Sequence, residues 1–303
     1  EPPHPELLKR PLLGPISREW LIYLLGVVAV FPVWWLVQRE PVVNWLLLIC
    51  AIAVLIYFVI YMIRSCTRKE AQRIILALIL IAASVLFWTL FELAGSALNQ
   101  FAERNTQMPS NGFFTITSGQ TQSFNAGFIL LFAPIFAAMW AWIEKNRRDP
   151  GDAAKFALAL VQVGAGFLVL VWGAAYADES AKVPLIFLVL LYLLHTTGEM
   201  FLSPVGLSAM TKLAPAAVVS TIMATWFLSS SAAQAIGAQI AKATAADTVG
   251  GQVLDPQAAL ATYVTVFQQI GWAAVGLGVL LAAASPFLNR LAPPAHAPQA
   301  ASE

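Results

Sequence analysis

From residue 19 to residue 288 the chain is apolar in runs of about 20 residues, parted by short polar breaks, and this feature leaves few folds open. A run of that length, coiled into an α-helix, matches the roughly 30 Å hydrocarbon thickness of a bilayer and satisfies its own backbone hydrogen bonds. The runs fall at 19–38, 42–63, 72–98, 127–143, 155–176, 183–204, 215–240 and 260–288, which predicts eight spans. Of the 303 residues 59% are hydrophobic and only 11% charged, whereas ordinary soluble domains are about a quarter charged. The expected class is all-α, a polytopic membrane protein. The seventh run is the weakest, because "SSSAAQAIGAQIAKATAA" is small and polar and suits close helix packing or a water-lined face.

The distribution of basic residues supports eight crossings. With a cytoplasmic N-terminus, the inner segments hold Lys9, Arg10, Arg18, Arg64, Arg68, Lys69, Arg73, Lys145, Arg147, Arg148, Lys155, Lys212 and Arg290. The outer segments hold only Arg39, Arg104, Lys182 and Lys242. This bias follows the positive-inside rule and puts both termini in the cytoplasm. The start, "EPPHPELLKRPLLGP", is polar and Pro-rich without a signal-peptide core, and reads as a cytoplasmic linker over 1–18 that continues from something upstream. The polar stretch 99–126 is expected to be an outer loop, with 106–121 a solvated connector. Residues 291–303 are expected to be a disordered tail, which carries His296 away from any metal role. Cys50 lies in an apolar run and Cys66 in a basic loop, so no disulfide is expected between them.

Polar residues inside the runs carry the functional signal, since a charge at mid-bilayer costs roughly 2.5–3.5 kcal/mol on insertion scales. In the third run Trp88, Glu92, Gly95 and Asn99 are four, three and four apart and share one face of a continuous helix. That stripe suits the wall of a wet cavity or a packed interhelical face. In the sixth run His195, Glu199 and Ser203 are each four apart; His195 is either a buried imidazole satisfied by a neighbour or a proton relay. Pro204 frees the carbonyl of Met200 and Pro134 that of Leu130, so both mark expected kinks. Asn125 opens the fourth run, and Trp226 in the seventh is core or an interface anchor. All seventeen Lys and Arg residues fall in loops or at span ends, so Glu92 and Glu199 find no intramembrane base in this chain. Their cationic partner must be a substrate amine or another set of helices.

The stretches "FWTLFELAGSALNQFAERNT", "QSFNAGFILLFAPIFAAMWAWI", "YLLHTTGEMFLSPVGLSAMTKLAP" and "MATWFLSSSAAQAIG" resemble the proton-dependent oligopeptide transporters, in the order of that family's seventh, eighth, tenth and eleventh helices. The resemblance runs from about residue 72 to 288. It implies a major-facilitator fold in which 67–290 is the six-helix C-terminal bundle. Residues 19–66 match the helix pair that prokaryotic members insert between their two halves. The family's N-terminal motif "ExxER" is not in this sequence, so an N-terminal six-helix half is an expected partner, along with the lipid bilayer.

By matching positions, the resemblance implies that Glu199 receives a peptide's amino terminus, with Ser203 one turn along. Glu92 would pair with a lysine of the other half and take part in proton coupling. Trp88, Phe91 and Trp226 would wall the pocket, and Asn125 would donate to the peptide backbone or carboxyl end. Glu103 would close an outer gate, and Pro134 and Pro204 would serve as hinges. The family often has Pro after this asparagine, and here Ala126 follows. The implied activity is proton-coupled symport of di- and tripeptides across a prokaryotic cytoplasmic membrane, with protons as coupling ion and no other cofactor, metal or nucleic acid. A major-facilitator carrier of a drug or anion, or a non-transporting membrane module, is the alternative. An enzyme is not expected, because no metal triad, Ser–His–Asp set or Asp pair converges.

Overall fold

The computed structural model describes residues 11–13, 16–109, 115–146, 149–245, 248–249 and 252–292. They divide into two compact units, 1–57 and 58–303. Eight helical segments among these residues are long and apolar enough to cross a membrane, in agreement with the eight runs.

The first unit holds helix α1 (Arg18–Val37) and most of α2 (Glu40–Ser65). Ser17 caps α1 by accepting a hydrogen bond from the Trp20 amide at 3.4 Å. No α1 side chain is buried, and its Leu, Val, Phe and Trp residues point outward on every side, which only a lipid solvent tolerates. The division between the units falls within α2. Of the expected linker, 1–10, 14 and 15 lie outside the described residues. Pro11–Leu13 (β1) and Ile16–Ser17 (β2) form a short antiparallel pair instead of plain coil.

The second unit is a helical bundle. It comprises α3 (Arg68–Phe91), a 3₁₀ turn at Glu92–Gly95, α4 (Ala97–Asn105), α5 (Ser118–Thr121), α6 (Ser123–Lys145), α7 (Asp152–Gly173), α8 (Leu185–Leu213), α9 (Val219–Ala243) and α10 (Pro256–Leu288). Helix α7 is central, packed along α10 and α8; α3 packs on α9, and α6 lies chiefly against α8. Close approach rests on small residues. A Cβ at Gly164 would stand 2.7 Å from the Gly271 carbonyl oxygen, and one at Gly278 3.0 Å from that of Ala157. The small, polar α9 does the same, burying Ser229, Ala233 and Gly237, with Ser229 Oγ 3.2 Å from Ser84 Oγ of α3.

Two expectations give way here. The third run is not one helix: α3 ends at Phe91, tightens to 3₁₀, and turns at Ser96 (φ −131°, ψ −95°) before α4. Trp88, Glu92, Gly95 and Asn99 therefore do not share one α-helical face, and the polar Glu92 is left exposed. The polar stretch 99–126 also carries more local structure than a plain connector. Helix α4 occupies 97–105, and Thr106–Gln107 (β3) pairs in parallel with Val183–Pro184 (β4). Helix α5 follows, and Asn105, Thr106 and Thr121 are buried. Residues 110–114 of that stretch, and 293–303 of the tail with His296, lie outside the described residues. Both cysteines are free, as expected. Helices α6 and α8 run unbroken through Pro134 and Pro204.

One end of the bundle is tied by a buried lysine. Lys155 is 7% exposed; its Nζ lies 2.9 Å and 3.0 Å from the two Asp149 oxygens, 3.7 Å from Asp152, and 5.0 Å from the Trp140 ring centre. Burial pushes the Asp149 carboxyl up, but hydrogen bonds from Lys155 and the Gly151 amide outweigh it and hold the group below its ordinary 3.8. A depressed pKa means stability that is present above the ordinary value and is lost as pH falls through the lowered one. Thermal unfolding in detergent should therefore show Asp149→Asn less stable than wild type at pH 7. The gap should close below about pH 4, where the wild-type carboxylate protonates.

Candidate functional site

The structure brings the polar residues of three chain segments to one cavity. It holds about 200 Å³ and is lined by Phe91, Glu92 and Gly95 from the end of α3 and its 3₁₀ turn, Asn125 from α6, and Tyr192 and His195 from α8. The break after Phe91 matters for this geometry, since it turns Glu92 out of the packed helix and into an exposed position at the cavity.

Asn125 ties the wall together. Its side-chain nitrogen donates to Glu199 Oε2 at 3.1 Å and to Thr196 Oγ1 at 3.0 Å. Thr196 in turn donates to the Tyr192 carbonyl at 2.7 Å, within α8. Glu199 is half-buried behind this bridge. Neither Glu199 nor Glu92 has an ion-pair partner among the described residues. Glu92 lines the cavity and Glu199 lies behind Asn125, and no Lys or Arg is among the cavity's described lining residues.

His195 resolves toward the packed alternative. It is 1% exposed, with Nε2 3.1 Å from the Val163 carbonyl oxygen. Its ring stacks near Phe91 and tilts against Phe167, and it fills the notch left by Gly166, where a Cβ would meet the imidazole at 2.7 Å. Trp88 sits edge-on to Phe87 and Phe91 at 5.4 and 5.3 Å.

The other expected site residues lie apart from this cavity. Trp226 is 7% exposed, packed against Gly206 and edge-on to Phe156 between helices, so its ring occupies the bundle interior and not the cavity wall. Ser203 and Pro204 are exposed further along α8, and Pro134 is exposed on α6. Glu103 is exposed on α4, where its backbone carbonyl, with that of Arg104, accepts from Lys182 Nζ at 3.3 and 2.6 Å.

Thr196 and Tyr192 belong to the site although the sequence does not single them out. Tyr192, Thr196, Glu199 and Ser203 are four, three and four apart, the same α-helical spacing that marks His195 and Glu199. Helix α5 is hidden by its polar composition, and with it the first turn of α6 that carries Asn125 inside the helix rather than at its mouth.

A family model described as the POT family matches residues 27–256. Among curated proteins, the chain is 32% identical to dipeptide and tripeptide permease A of Edwardsiella piscicida, covering 93% of this chain and 56% of that one. It is 33% identical to the protein of the same name from Pectobacterium carotovorum, covering 93% and 54%. Among solved structures, a peptide transporter POT variant in complex with alafosfalin superposes with a TM-score of 0.72 at 35% identity, covering 93% of this chain and 55% of that one. The chain thus spans about half the length of the curated relatives it matches.

Proposed function

Because this chain belongs to the POT family and is an integral membrane protein, we propose that it supplies the substrate-binding C-terminal half of a proton-coupled di- and tripeptide symporter. The observation that carries the proposal is a cavity lined by Glu92 and Asn125, with the Glu199 carboxylate held behind Asn125 and no Lys or Arg among its described lining residues. A zwitterionic peptide brings an ammonium to such a wall and a carboxylate to a basic wall opposite. A six-helix N-terminal half, which the family resemblance implies and the relatives' greater length leaves room for, is the source of that second wall in this reading. Both termini face the cytoplasm in this reading, on the positive-inside bias.

Glu199 takes the peptide ammonium, and Phe91 with Trp88 behind it walls the side-chain space. Glu92 pairs with a cation of the other half, and its protonation releases the pair so that the halves rock about the central site. Each proton moved down the membrane potential contributes about 2.3 kcal/mol per 100 mV, enough for roughly fiftyfold accumulation. Glu103 stands exposed at the outer end of α4, where it can close on a basic residue of the other half. Pro134 and Pro204 serve as hinges, Ser203 assists one turn beyond Glu199, and Trp226 acts from the packed interior by supporting α8. Protons are the coupling ion, and no further cofactor or metal takes part.

The test is uptake of a labelled dipeptide by membrane vesicles containing this chain with a POT-family N-terminal half, with and without an inward proton gradient. Gradient-driven accumulation supports the proposal. A properly inserted pair that accumulates no dipeptide refutes it and favours another substrate or a non-transporting module. In the same vesicles Glu92→Gln should abolish gradient-driven accumulation while leaving measurable exchange of peptide for peptide. Full accumulation by that variant would remove Glu92 from the coupling role.

A further inference from the structure

The hydrogen bonds around Thr196 fix which way the Asn125 amide faces. The Tyr192 carbonyl oxygen can only accept, so the Thr196 hydroxyl proton is committed to it at 2.7 Å. What Thr196 offers Asn125 at 3.0 Å is therefore a lone pair, and only the amide nitrogen can answer it. The second N–H of the same nitrogen reaches Glu199 Oε2 at 3.1 Å. Both amide protons are spent on α8, and the carbonyl oxygen is what Asn125 has left to present to the cavity it lines.

A carboxylate alone would not hold this orientation. When Glu199 is ionised it accepts from the amide, but once protonated it can donate, and the amide could turn its oxygen inward to take that proton. Thr196 has no such freedom, because its proton stays with its own helix whatever the state of Glu199.

We propose that Thr196 is a positioning residue that locks Asn125 with its carbonyl oxygen toward the cavity. With the lock in place, Asn125 presents an acceptor to the cavity with the Glu199 carboxylate behind it, a pairing that favours a ligand end bearing several N–H donors, a primary ammonium. This reverses the resemblance-based expectation that Asn125 donates to the peptide, because both of its amide protons are already bound on α8. The specificity consequence rests on the transport reading above; the lock itself does not.

Two measurements on the same sample separate them. Thr196→Val keeps the shape of the side chain and removes the lone pair, while Thr196→Ser keeps the hydroxyl. The sample is this chain assembled with a POT-family N-terminal half in lipid bilayers. Solid-state NMR of ¹⁵N-asparagine, assigned with Asn125→Ala, reads the Asn125 side-chain amide directly. The amide resonance should move in Thr196→Val and stay near wild type in Thr196→Ser. Dipeptide uptake should show KM raised roughly tenfold in Thr196→Val, the size of one lost hydrogen bond, with kcat unchanged and Thr196→Ser restoring it. Discrimination against an N,N-dimethylated dipeptide should shrink in Thr196→Val by a similar factor. An Asn125 resonance that is unchanged in Thr196→Val overturns the lock. A shifted resonance with unchanged KM and unchanged discrimination overturns its role in specificity. Absence of uptake by the wild-type pair refutes the transport reading, and the amide resonance still decides the lock.

Discussion

Glu199→Gln in the assembled transporter should raise the KM for a dipeptide by roughly 30- to 150-fold. That factor is the equivalent of about 2–3 kcal/mol for a lost hydrogen bond to a charged group. Glutamine preserves the size of the side chain and keeps an oxygen for Asn125, which donates to Glu199 Oε2 at 3.1 Å, so the wall itself should stay in place. What it removes is the negative charge that an ammonium would meet in a partly desolvated cavity, where the interaction is strongest. A ligand with no amino terminus should bind equally to both forms. Wild-type KM in Glu199→Gln, with normal membrane insertion, would move the amine site away from Glu199, Glu92 being the carboxylate that lines the cavity.

The largest effect on stability is expected at Gly164. A Cβ there meets the Gly271 carbonyl oxygen at 2.7 Å, the Ala274 methyl at 2.9 Å and the Val275 amide nitrogen at 2.9 Å. Two of the three obstacles are backbone atoms of α10, so no rotamer change relieves them and the α7–α10 contact must open. Overpacking of this kind costs about 1–3 kcal/mol, and Gly164→Val belongs at or beyond the upper end because it adds three carbons. Gly276 lies on the same α10, and a Cβ added there would meet nothing within 4 Å, so Gly276→Val is the matched control and should be near neutral. Thermal unfolding in detergent, followed by size-exclusion chromatography, should show a clear loss of midpoint for Gly164→Val alone. Equal midpoints for the two variants would mean that this close approach contributes little to holding the bundle together.

Both expectations concern the second unit, and they differ in what makes them visible. Glu199 stands out in any reading of "HTTGEMFLSPVG", because an acid in an apolar run is costly. Gly164 does not, since glycines are frequent in membrane helices and only the position of α10 reveals which one is pressed against a neighbour.

The eight membrane-length helices, the all-α class and the two acids without an intramembrane base are legible in the chain alone. These follow from run length and from the cost of charge in hydrocarbon, which are local properties. The sequence also carried the family resemblance, through motifs that are contiguous in the chain. The tertiary structure decided what depends on residues distant in sequence. It broke the third run at Glu92–Gly95, where a constant 3.6-residue period predicts one face, and so turned Glu92 to the cavity. It placed Trp226 against Gly206 and His195 against Gly166, in notches that become visible only once helices are packed. It joined Asn125 to Thr196 and Glu199 across 71 and 74 residues of chain, and so defined the cavity wall. Periodicity reports which residues share a helix face; which faces meet is set by packing between helices, and the site lies where they meet.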